Sequence, residues 1–118
     1  MSRGQTLQVL AYSAARRGQV ALGPLVFPCA LGRGGIVARK REGDGGTPRG
    51  IWRISEVWFR PDRLRRPRTG LRVRRLRPTD GWCDEAGDRN YNRLVRLPYA
   101  ACSEEMWRRD GLYDVGAV

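Results

Sequence analysis

The chain has 118 residues, enough to bury one hydrophobic core but too few for two domains. Its content of 41% hydrophobic and 30% charged residues argues against disorder throughout, and a net charge of +11 predicts attraction to polyanions such as nucleic acid, anionic lipid or an acidic polymer. Histidine is absent, which excludes an imidazole as general base, as partner of a nucleophile or as metal ligand.

The first predicted elements are strands. Residues 6–12, "TLQVLAY", are rich in β-forming side chains and predict one strand, which a turn follows. In the next region, residues 20–32, Pro24 and Pro28 exclude a central strand or a helix, so an edge strand or an extended loop is expected there. Residues 34–40, "GGIVARK", predict a short further strand.

A glycine-rich stretch, "KREGDGGTPRGIWRI", runs from Lys40 to Ile54. It does not satisfy the P-loop pattern, because Lys40 precedes the glycines and Pro48 lacks an amide donor, and it does not satisfy the dinucleotide fingerprint either. We therefore predict a hairpin-like turn in which glycines take positive φ, Pro48 stiffens the exit and Asp44 bonds to neighbouring amides.

Four later segments also predict strands. They contain β-branched or aromatic residues with partial alternation, and the first is expected to carry a bulge or bend. They cover residues 50–60, 70–77, 92–99 and 112–118. The last one stops in an apolar run, which suggests a missing continuation.

One short helix is predicted near residues 103–110. Ser103 would cap it, two glutamates would occupy its first turn, two arginines its last turn, and Gly111 the position beyond its end. The chain is thus predicted to be a single, mainly β domain of residues 1–118 with one short helix.

Three cysteines, Cys29, Cys83 and Cys102, lie far apart and include no C-x-x-C pair, so neither zinc nor a dithiol redox site is predicted. No cofactor is expected. Thiols of this kind are typical of a reducing compartment. The N-terminal segment lacks the apolar region of a signal peptide, and no stretch is long enough to span a membrane, so the chain as written is predicted to be cytoplasmic.

Residues 60–77 form an arginine-rich segment with nine arginines in eighteen residues. Such a segment can bind phosphates in a salt-dependent way, with nearby aromatic residues available for stacking, and it predicts a nucleic-acid or polyanion-binding module. Against this role, arginines that alternate with leucine and valine are typical of the solvated face of a strand. The candidate polyanion-binding residues are Arg63, Arg65, Arg66, Arg68, Arg72, Arg74, Arg75 and Arg77.

Three motifs in order carry a resemblance to a known family. They are K-x-E-G-D-x-x-T-P-x-G at residues 40–50, D-G-W-C-D at residues 80–84 and Y-N-R at residues 91–93. Together, and at these intervals, they resemble the N-terminal part of the L,D-transpeptidase (YkuD-like) catalytic domain, over residues 7–115.

The resemblance implies a β-sandwich-like fold and a role in peptidoglycan cross-linking, in which a cysteine attacks a peptide carbonyl and passes the acyl group to an amine. It implies that the glycine-rich stretch joins two strands without chemistry, shaped by Lys40, Glu42, Gly43, Asp44, Thr47, Pro48 and Gly50. Peptidoglycan peptides would be the partners, in the cell envelope. The residues that either line the substrate groove or support the structure are Trp82, Asp84, Asp88, Tyr91 and Asn92.

The chain departs from the family at its catalytic signature, a histidine followed by a Ser/Thr/Ala-x-Gly-Cys segment, which is absent. The expectation is a truncated domain that has no catalytic residue and is inactive alone. Acids beside Cys83 and Cys102 oppose thiolate formation, so neither is expected to replace the nucleophile. Missing strands would leave an unpaired sheet edge, through which the chain is predicted to associate with a second copy.

Overall fold

A computed structural model describes residues 5–12, 16–41 and 43–118. The described residues form strands, turns and irregular segments, and none lies in a helix, so the prediction of a mainly β chain is confirmed. Among them, no helix is long and apolar enough to cross a membrane. The chain divides into two compact units, Met1–Ile51 and Trp52–Val118.

The first unit contains an antiparallel three-stranded sheet of order β1-β2-β3 and a small parallel pair. The sheet strands are β1 (Leu7–Ala11), β2 (Arg17–Leu22) and β3 (Leu25–Ala30), and the pair is β4 (Ile36–Val37) with β5 (Thr47–Pro48). Cross-strand rows such as Val9, Val20 and Phe27 bring apolar side chains together on one face.

Pro28 lies in β3, which is an edge strand. Proline has no backbone N–H to donate, and an edge strand can accommodate it without losing a hydrogen bond to its neighbour. The edge-strand prediction is therefore right for residues 25–30 but wrong for residues 20–22, which belong to the central strand β2. Gly23, at φ 54°, turns the chain between these two strands.

The second unit contains two three-stranded sheets. Its strands are β6 (Glu56–Phe59), β7 (Arg72–Arg75), β8 (Asp80–Cys83), β9 (Leu94–Arg96), β10 (Ser103–Glu105) and β11 (Val115–Ala117). One sheet has the order β11-β6-β7, with β6 and β7 parallel, and the other has the antiparallel order β10-β8-β9. The strand predicted from residue 50 begins only at Glu56, since Ile51 and Trp52 are exposed outside any ladder.

The core of this unit is a cluster of buried apolar side chains at Trp58, Leu76 and Met106. Partly buried side chains pack against the cluster from the β10-β8-β9 sheet and from residues outside the strands: Trp82, Leu94, Trp107 and Tyr113. The rings of Trp58 and Tyr113 meet edge to face with centroids 6.2 Å apart.

The helix predicted near residues 103–110 is wrong. Ser103–Glu105 is strand β10, which pairs with Gly81–Cys83 of β8, and the amide of Met106 donates to the carbonyl of Asp80 at 3.1 Å. The local capping pattern is overridden because β8 offers these backbone groups partners across a sheet.

Candidate functional site

The residues predicted to contact substrate lie on β8 and on the loop that joins it to β9. Two backbone hydrogen bonds join the ends of this loop. The amide of Asn92 donates to the carbonyl of Cys83 at 2.8 Å, and the amide of Cys83 donates to the carbonyl of Arg93 at 2.9 Å. Asn92 has a φ of 59°, a left-handed conformation that asparagine tolerates better than most residues. The loop is therefore a defined turn.

Asp88 is the hydrogen-bonding centre of the loop. Its Oδ2 accepts from the hydroxyl of Tyr99 at 2.6 Å, from the amide of Asn90 at 2.9 Å and from the thiol of Cys83 at 3.6 Å. The side-chain amide of Asn90 also donates to the Tyr99 hydroxyl at 2.8 Å. The bond from Tyr99 is the main cause that lowers the pKa of Asp88, so this carboxylate stays charged and holds the loop together.

The other predicted substrate residues surround this centre. Trp82 is half-buried and donates its indole Nε1–H to Oδ1 of Asn92 at 3.2 Å. Asp84 is exposed, with its amide bonded to the carbonyl of Cys102 at 3.1 Å, and Tyr91 is 36% exposed. The structure thus brings all five residues onto one strand and its loop, with Trp82, Asp88 and Asn92 bonded inside it.

Sequence reasoning missed Asn90 and Tyr99 as members of this network. Asn90 follows Asp88 by two residues, which is the spacing of an Asx turn and a signal that the sequence offers. Tyr99 lies eleven residues beyond Asp88, and no local pattern connects the two.

Cys83 is the only cysteine within these motifs, and its surroundings do not suit a nucleophile. Its side chain is fully buried. Burial raises the pKa of its thiol, and the charge of Asp88 raises it further, so the unreactive protonated form is favoured. This direction agrees with the sequence-based expectation that neighbouring acids oppose thiolate formation.

We expect the three thiols to differ in their rate of alkylation. A brief exposure of the folded chain to iodoacetamide, followed by peptide mass spectrometry, should modify the exposed Cys102 and leave Cys83 unmodified until denaturant is added. Labelling of Cys83 as fast as Cys102 would contradict its buried, protonated state. The Cys102→Ser variant is the control that assigns the fast reaction.

The glycine-rich turn is organised by Asp44. This carboxylate accepts from the amide of Arg41 at 2.8 Å and that of Gly46 at 2.7 Å, and it pairs with Nζ of Lys40 at 2.6 Å. The predicted Asp44 bonds and positive φ values are confirmed, with Gly43 at 83° and Gly45 at 67°. Glu42, also predicted to shape the turn, lies outside the described residues.

The strands that this turn joins are parallel, so the hairpin-like connection is wrong. A parallel pair needs a crossing connection, and the residues between Val37 and Thr47 supply one. The hydroxyl of Thr47 closes it by accepting from the amide of Gly32 at 2.8 Å. Among the described residues, the turn is thus held by the bonds of Asp44 and by the bond from Gly32 to Thr47.

Protonation of Asp44 should loosen this turn only in strong acid. The bond from Lys40, with those from the Arg41 and Gly46 amides, lowers the pKa of Asp44 to about 2, below the value of about 3.9 in an unfolded chain. The stabilisation is therefore complete above about pH 4 and is lost as pH falls through about 2. We expect the NMR shifts of the Arg41 and Gly46 amides to titrate near pH 2 and to be flat in Asp44→Asn; a midpoint near 4 would contradict the bonding.

The predicted polyanion-binding arginines are all exposed, but they divide by their partners. Arg63 pairs with Asp114 at 2.9 Å, and Arg74 pairs with Glu56 at 2.6 Å. The side chains of the other six have no ion pair with any described residue: Arg65, Arg66, Arg68, Arg72, Arg75 and Arg77. Within the described part of the chain, no group of three or more acidic or thiol side chains is arranged to hold a metal ion.

Comparison with known proteins identifies a family. The model of the YkuD family, the L,D-transpeptidase catalytic domain, matches residues 6–113. No curated protein and no solved structure matches the chain. The matched range contains the glycine-rich turn, the β8–β9 loop and nearly the whole of both units.

Proposed function

Since this chain belongs to the L,D-transpeptidase catalytic-domain family, we propose that its 118 residues form the scaffold and part of the peptide groove of a domain that acts on peptidoglycan. On this proposal, the β8–β9 loop contacts the stem peptide. Its exposed positions, Asp84 and Tyr91, face the ligand, while Asp88 keeps the loop in shape. Action on peptidoglycan places the chain in the cell envelope.

We propose further that these residues do not transfer acyl groups by themselves. The observation that carries this step is the state of Cys83, a buried thiol that donates to a carboxylate and has a raised pKa. Acyl transfer by a cysteine needs a thiolate, a base to form it and donors that stabilise the oxyanion. The 118 residues contain no histidine to act as that base.

The binding part of the proposal is tested by NMR titration with a disaccharide tetrapeptide from peptidoglycan. We expect shift changes to concentrate on the amides of the β8–β9 loop. Asp84→Asn should weaken binding, because it removes an exposed carboxylate that can pair with an amine of the peptide. Glu85→Gln is the matched control, with the same charge change at the next exposed position.

Equal weakening by both variants, or shift changes outside the loop, would overturn the proposed binding site. The catalytic part is tested separately by incubating the chain with a tetrapeptide donor and an amine acceptor. Mass spectrometry should detect no exchange product. Formation of that product by the unmodified chain would overturn the proposed lack of activity.

A further inference from the structure

A groove lined by arginines lies in the second unit, and none of the described residues that line it belongs to the β8–β9 loop. It has a volume of about 570 Å³. We name it the arginine groove; its lining residues are Pro61, Arg66, Val73, Arg74, Arg75, Leu76, Arg77, Pro78 and Asp80. Much of the lining comes from the edge strand β7 and the residues that follow it.

Positive charge in the arginine groove is only partly balanced. Of its four arginines, Arg74 is paired with Glu56. Among the described lining residues, Asp80 is the one acid; it accepts from the backbone amide of Arg77 at 2.8 Å, and its carboxylate forms no ion pair with a described residue. Arg66, Arg75 and Arg77 therefore line one concave surface and form no ion pair with a described carboxylate, so an anion bound there would balance their charge.

The chemistry of the lining selects the kind of anion. Guanidinium groups present planar pairs of donors that match the oxygens of phosphate, and the volume lies in the ordinary range of about 300–1,000 Å³ for ligand sites. Among the described residues, no aromatic side chain lines the groove, so they offer no surface on which a nucleic-acid base would stack. We propose that the arginine groove binds the phosphate groups of a linear phosphate polymer and makes no contact with bases.

The arginine groove separates two sets of arginines that the sequence alone does not distinguish. Arg66, Arg75 and Arg77 line the groove, whereas Arg65, Arg68 and Arg72 are exposed, have no ion pair with a described residue and do not line it. Attraction to net charge alone would depend on both sets equally. A specific phosphate site would depend on the three arginines that line the groove.

The experiment is calorimetric titration of the whole chain with inorganic tripolyphosphate. The groove variant is the triple substitution Arg66→Gln, Arg75→Gln and Arg77→Gln, and the matched control is Arg65→Gln, Arg68→Gln and Arg72→Gln. Each removes three positive charges. We expect the groove variant to lose about 10- to 100-fold in affinity, since charge-assisted bonds are lost, and the control to lose less than about threefold.

A parallel titration with oligothymidylate distinguishes the source of the phosphates. Its affinity should fall with salt and should not exceed that of tripolyphosphate, because the groove contacts phosphate oxygens alone. Equal loss of tripolyphosphate affinity in both variants, or no binding by the unmodified chain, would overturn the proposal. Tighter, groove-dependent binding of oligothymidylate would overturn the exclusion of bases.

Circular dichroism should give the two triple variants the same melting temperature as the unmodified chain, because all six side chains are exposed. If the groove variant does not fold, the single variants Arg75→Gln and Arg72→Gln repeat the comparison at two positions of β7. A loss of affinity for the first and not for the second is expected. The outcome is independent of peptidoglycan binding, which is measured at the β8–β9 loop.

Discussion

Replacing Leu76 with alanine is expected to lower the free energy of unfolding by about 2–5 kcal/mol. Leu76 is 2% exposed and packs in the buried cluster with Trp58 and Met106, so the shorter side chain leaves a cavity that the surrounding core only partly fills. Because small domains are marginally stable, a loss of this size should be visible as a large fall in the midpoint of urea unfolding.

Leu112→Ala is the matched control for this prediction. It removes the same atoms from a side chain that is 62% exposed, and its effect should stay within about 0.5 kcal/mol. If the two variants unfold at the same urea concentration, the assignment of Leu76 to the core is wrong.

The Arg60→Lys variant should unfold several degrees below the unmodified chain although its charge is unchanged. Arg60 is 4% exposed, and its Nε and Nη2 bond both carboxylate oxygens of Asp62 at 2.9 and 2.8 Å. Its Nη1 donates to the carbonyl of Arg108, and its guanidinium lies 3.7 Å from the ring centroid of Trp107. Lysine cannot reproduce the two-point pairing or the flat stacking.

The control for Arg60 is Arg109→Lys, an exposed position whose side chain bonds to no described residue. Thermal unfolding followed by circular dichroism should place this control at the melting temperature of the unmodified chain. Equal melting temperatures for both variants would mean that Arg60 acts only through its charge. If the melting temperature falls only in Arg60→Lys, the role of Arg60 is to hold residues 107–108 against the end of β6.

The sequence predicts the positions of strands well where residues close in the chain determine them. The strands β1, β4, β7 and β9 lie inside predicted segments, because β-forming residues and flanking turn residues are local signals. The boundaries were less accurate, as at β6, whose extent is set by pairing with β7 and β11. The failure at residues 103–110 has the same origin, since the paired residues of β8 and β10 lie 20 to 24 positions apart in the chain.

The candidate site, too, is predicted only in part from the sequence. The sequence placed Trp82, Asp84, Asp88, Tyr91 and Asn92 in one segment through the motifs that also identify the family. It did not reveal that Tyr99 bonds to Asp88 or that Cys83 is fully buried. Those facts depend on how β8, β9 and their loop pack.

Local chemistry in the sequence alone determined the family, the strand-rich character, the positive charge and the Asp44 turn, whose partners all lie within four residues of it. Only the tertiary structure decided which arginines are neutralised, because Asp114 and Glu56 lie 51 and 18 residues from their partners. It also gathered Arg66, Arg75 and Arg77 around one groove. Contacts between distant residues depend on strand pairing and packing, and a local pattern does not encode the choice of partner.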